Sequence, residues 1–142
     1  MSKRAATATA AIVLTVLLGW GAMVSWPVDP SGYQDRVVKI ADGALSTVRT
    51  VAIVARADRA HRLLPPYVSR MITSAREDLA SCQHDLTTES VSDPRSARLR
   101  GQLAPLLERA AALLSDDAGA MAAAADLDRV GDQLDAFKER YR

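Results

Sequence analysis

No charged residue occurs between Ala5 and Trp26, and Lys3 and Arg4 stand immediately before that run. A hydrocarbon core about 30 Å thick needs roughly 20 apolar residues in a helix. The stretch from Ala8 to Trp26 is long enough, and its centre, Ala11 to Leu18, is strongly apolar. Backbone groups in lipid must be satisfied within their own segment, so this one is expected to be helical. Trp26 stands where an indole favours the membrane interface, and Pro27 stops the helix. The first charge after the run is acidic, Asp29, and the next basic residue is Arg36. The positive-inside bias therefore predicts a plasma-membrane protein with residues 1–7 in the cytoplasm. Residues 8–26 would be the transmembrane helix or uncleaved signal anchor, 27–32 a linker and 33–142 an extracytoplasmic domain. The same basic start and apolar stretch also describe a cleaved signal peptide. Gly19-Trp20-Gly21 would be its weak cleavage site and a secreted helical protein its product.

Beyond the run the chain is nearly neutral. Setting aside Lys3 and Arg4 from the 18 basic residues leaves 16 against 17 acidic ones in residues 27–142. Nucleic acid wants a basic face, so it is not an expected partner. There is no polybasic run for anionic lipid either. A single cysteine excludes an intramolecular disulfide, so the fold must stand on packing. Asn is absent, which removes glycosylation sequons and Asn-Gly hairpin turns together. Arginine far outnumbers lysine and alanine is abundant, a bias that resembles proteins of GC-rich bacteria.

The outer segment reads as helix throughout. Tyr33, Val37, Ala41, Ala44, Val48, Val51 and Ala55 recur at spacings of three and four, one face of a helix. No proline interrupts until Pro65-Pro66. Gly43 is a weak point, and Thr47 to Val54 is β-branched enough to read as a strand, but the flanking sequence favours helix. A second helix from Tyr67 carries Val68, Met71, Ala75, Leu79, Cys82 and Leu86. Asp93-Pro94 reads as an N-cap with proline in the first turn. The third helix that follows carries Leu99, Leu103, Leu106, Ala110 and Leu113, with a kink expected near Gly101 because Pro105 lies inside it. After a break at Ser115 to Gly119, Ala120, Ala123, Leu127, Val130, Leu134, Phe137 and Tyr141 form a heptad seam. The fold class is therefore all-α: an N-terminal single transmembrane helix followed by an extracytoplasmic up-down bundle of about four helices. A first helix longer than the others predicts a stalk or a division at Gly43. Six basic against three acidic residues in 31–62, and five against eight in 101–142, would favour pairing of the first and last helices.

Chemistry-bearing residues are few. Cys82 lies on an apolar stripe and reads as a small hydrophobe. Asp58 with His61, and Glu77 with His84, share helix faces, but a di-metal bundle needs two carboxylate-x-x-His pairs and further carboxylates, and only one such pair is present. Asp128, Asp132, Asp135 and Glu139 form an acidic row beside the last seam, and a straight helix face does not converge oxygens on calcium. No phosphate loop, nucleophile elbow, zinc-protease helix or Cys-x-x-Cys occurs. The expectation is a non-enzymatic module without cofactor or metal, acting by helix packing on a protein partner or a second copy. Its possible interaction face is Leu127, Val130, Leu134, Phe137 and Tyr141 with the acidic row Asp128, Asp132, Asp135 and Glu139. The alternative is an extracytoplasmic ligand- or metal-binding sensor built on His61, Glu77 and His84.

Overall fold

A computed structural model describes residues 30–142, and the membrane span expected at 8–26 lies outside them. The described residues form α1 (Pro30–Arg59), α2 (Pro65–Thr88), α3 (Pro94–Leu113), α4 (Asp117–Ala122) and α5 (Ala124–Tyr141). Among them no helix is long and apolar enough to cross a membrane. The helical bundle is as expected, with five helices where about four were read. The β-branched stretch Thr47 to Val54 is helix, because Val48, Val51 and Val54 are buried on the α1 core face.

The helices run up and down in turn. The start of α1 meets the end of α5 where Gln34 Nε2 donates to the carbonyl of Tyr141 at 2.6 Å. The end of α1 meets the start of α5 where Arg56 pairs with Asp128 at 2.6 Å. Between them Arg49 pairs with Asp135 at 3.4 Å, and Lys138 with Asp42 at 3.1 Å. This ladder matches the opposite charge bias read in the sequence. Such exposed pairs contribute only ~0.2–1 kcal/mol each, so they select register more than they stabilise. The packing itself is apolar: α1 lies most extensively against α5, then α2, and also reaches α3 across the bundle.

Each helix start has a local cause. Pro30 opens α1 three residues earlier than expected, since proline is at home in a first turn. Pro65 and Pro66 open α2 and carry no N–H, so its first turn has two fewer donors to satisfy. The remaining two, Tyr67 N and Val68 N, both reach the carbonyl of Leu64, at 3.0 and 3.2 Å. α3 begins as read: the Asp93 carboxylate accepts from Arg95 N at 2.8 Å, Ser96 N at 3.0 Å and the Ser96 hydroxyl at 2.6 Å. α3 is unbroken across Pro105, and α1 across Gly43.

The corrections are at the far end. α1 stops at Arg59, earlier than the proline pair requires, because His61 takes a left-handed backbone, φ 52°. Arg62 N then donates to Ala57 O at 3.1 Å and His61 N to Asp58 O at 2.8 Å, the two bonds of a Schellman ending. No stalk exists within α1, since Tyr33 near its start and Ala55 near its end are both fully buried. The last seam is not one helix but two. α4 starts inside the expected break, where Asp116 accepts from Gly119 N at 2.6 Å, and Ala123 leaves helical geometry between α4 and α5.

The Asp93 cap carries a pH signature. Its carboxyl is held below the ordinary 3.8, first by the Ser96 hydroxyl and then by the Ser96 amide. A depressed folded pKa stabilises fully above the ordinary value and is lost as pH falls through the folded value. Asp93→Ala is therefore expected to melt below wild type at neutral pH. The gap should narrow only under pH ~4, and a gap that stays constant through strong acid in parallel melts contradicts this origin.

Candidate interaction surface

Leu127, Val130 and Leu134, the heart of the expected interaction face, are fully buried within the chain itself, and Phe137 nearly so. Small residues and valines on α1 cover them: a methyl on Gly131 of α5 would sit 3.7 Å from the Leu45 side chain and 3.9 Å from that of Val48. A partner could reach this seam only by displacing α1. Tyr141, half-buried, tilts against Phe137 at 4.9 Å between ring centres, and its hydroxyl donates to Gln102 at 2.7 Å. In the acidic row, Asp128 and Asp135 are held by α1 as above, and Glu139 lies 3.8 Å from Arg142. Asp132 points to solvent.

The sensor residues are not brought together. His61 is exposed in the turn after α1, and Glu77 and His84 are exposed on α2. Among the described residues no group of three or more His, Cys, Asp and Glu is placed to hold a metal ion. Cys82 is half-buried against Gly43, beside an open cleft of about 420 Å³ between α1 and α2 that Arg36, Ile40, Asp85 and Glu89 also line. Burial, ahead of the carboxylates of Asp85 and Asp78, pushes its thiol above the ordinary value. Since the thiolate is the reactive form, Cys82 should alkylate more slowly in the native chain than in denaturant at the same pH. Equal rates by mass spectrometry contradict the packed position.

A surface that neither helical stripe revealed lies at the α1–α2 turn. Leu64 is 74 % exposed and Tyr67 49 % exposed, with exposed Pro65 and Pro66 between them. From Arg59 to Arg76 the chain carries four arginines and one histidine and no acidic residue. Arg59, Arg62 and Arg70 are exposed, with no ion-pair partner among the described residues. Two carboxylates at this end of the bundle are engaged elsewhere, while Asp58, next to Arg59, makes no ion pair among the described residues. Asp117 pairs with Arg76 at 2.8 Å and accepts from Ser69 at 2.9 Å, while Asp126 is held by Arg129 at 2.5 Å. The sequence signal was a pair of leucines beside two prolines, outside the regular apolar spacing on either side.

No protein-family model, no characterised protein and no solved structure matches this chain.

Proposed function

We propose that this chain is a non-enzymatic, single-pass membrane protein that displays its helical bundle outside the cell for contact with another envelope component. The observation that carries this reading is the uncharged run from Ala5 to Trp26 behind Lys3 and Arg4. Its length suits a bilayer and its flanks suit an N-terminus in the cytoplasm. The shape of the bundle is consistent with display. Residue 30 and the C-terminus meet at one end, through the Gln34–Tyr141 bond, so an anchor attached there leaves the opposite end free. One continuous apolar core forms within residues 30–142, and Ile53, Leu64, Tyr67 and Val91 are the large apolar side chains left exposed.

Two measurements test the reading. A C-terminal phosphatase fusion should be active while a fluorescent protein that matures only in the cytosol stays dark, and the mature chain should keep residues 1–26 by mass. A reporter active only in the cytosol overturns the topology. Photo-crosslinking from exposed positions all over the bundle should yield protein adducts in cells, and their absence at every position overturns the contact role.

A further inference from the structure

Resting on that reading, we infer that the α1–α2 turn is the docking tip, and that its partner is a protein surface with an apolar recess rimmed by carboxylates. Leu64 and Tyr67 project at the end of the bundle opposite to residue 30, about 45 Å away along a 30-residue helix. Arg59, Arg62 and Arg70 flank them along the chain, are exposed and make no ion pair among the described residues, Asp58 beside Arg59 included, whereas the next arginines on either side, Arg56 and Arg76, are paired. The unpaired guanidiniums set the sign of the partner. Their planar forks suit carboxylates, which they can hold in bidentate fashion.

The tip is also rigid. Two prolines, the left-handed His61 and the four backbone bonds that close the turn hold Leu64 and Tyr67 in place before any partner arrives. Ordering costs on docking fall accordingly. Tyrosine and arginine around a buried apolar anchor make up the usual composition of interface hot spots. A preset convex knob matches a shaped recess in a protein; a fluid bilayer has no use for that shape, and three arginines with two apolar side chains give it a small electrostatic hold.

The test uses the full-length protein in its own membrane, with Leu64 or Tyr67 replaced by a photoreactive phenylalanine and Arg109 on α3 replaced likewise as a control. Positions 64 and 67 should give a protein adduct that Arg109 does not, and the mapped peptide should carry acidic residues beside an apolar one. The triple variant Arg59→Glu, Arg62→Glu, Arg70→Glu should lower the adduct by about tenfold or more. The single variant Arg62→Glu should lower it in part, and both should melt as wild type does. Replacing the mapped acids by arginine should restore the adduct to the triple variant. Adducts at the tip that are insensitive to charge reversal, or made with lipid alone, overturn the inference. Adducts confined to other faces overturn it while leaving the contact role standing, and no adducts anywhere sink both.

Discussion

Leu107→Ala is expected to cost ~2–5 kcal/mol, whereas Leu106→Ala, one residue earlier, costs ~1–2 kcal/mol. Leu107 is fully buried in α3, and its truncation removes a branched side chain from a close-packed site that cannot collapse around the loss. Leu106 is half-buried at the edge of the groove between α3 and α5, where solvent and neighbouring side chains fill the space. For a domain of this size the first change should lower the melting temperature by roughly 10–20 °C and the second by a few degrees. Far-UV circular dichroism melts of the two variants decide the matter. Equal destabilisation, or a larger drop for Leu106, would mean that α3 is rotated about its axis from the arrangement described.

That pair of leucines also marks the limit of helical spacing as a guide to the core. The stripe Leu99, Leu103, Leu106, Ala110, Leu113 obeys helical spacing, and so does Leu99, Leu103, Leu107, Ala110, Leu114. The twin leucines at 106–107 and 113–114 offer two overlapping faces, and periodicity cannot rank them. The structure chooses the second, because α3 packs on α1 across the bundle as well as on α2 and α5. Leu107 and Leu114 then point inward and Leu106 and Leu113 line the borders. On α1, by contrast, all seven residues of the stripe from Tyr33 to Ala55 are buried, and Leu45, Ala52 and Val54 beside it are buried as well.

Local chemistry was equally legible where one residue type had one use. Asp93-Pro94 announces its helix start, whereas Pro65-Pro66, which in the sequence marks only the end of the first helix, also opens the second. The ending at His61 was not visible, since a left-handed C-cap is ordinarily glycine and nothing in Ala60-His61-Arg62 marks the turn. The candidate surface lay in the same blind spot. Periodicity finds what is buried; Leu64 and Tyr67 matter because they are not, and that is known only once the turn between α1 and α2 has been placed. The cover over the last seam was out of view for the converse reason. The spacing of the seam showed that Leu127, Val130 and Leu134 need a cover, but not that α1 of the same chain supplies it.

Gly131→Ala should raise stability by about 0.5–1 kcal/mol although the residue is buried at the most extensive helix pair of the bundle. Glycine in a helix interior loses more backbone freedom on folding than alanine does, so alanine is favoured wherever it fits. Here it fits: the added carbon would lie 3.7 Å from Arg49 Cγ, 3.7 Å from Leu45 Cδ1 and 3.9 Å from Val48 Cγ1, all ordinary van der Waals contacts. The same distances leave no room for more. Gly131→Leu must push its branch into Leu45 and Val48, and overpacking of that kind costs ~1–3 kcal/mol, with the Arg49–Asp135 pair at 3.4 Å disturbed as α1 moves away. The sign should thus reverse between the two variants, one melting above wild type and the other well below it. A destabilised Gly131→Ala would show that α1 and α5 approach more closely than these distances allow. A tolerated Gly131→Leu would show that α1 is free to shift, and a cover that shifts so readily would return the Leu127–Leu134 seam to the surfaces a partner could reach.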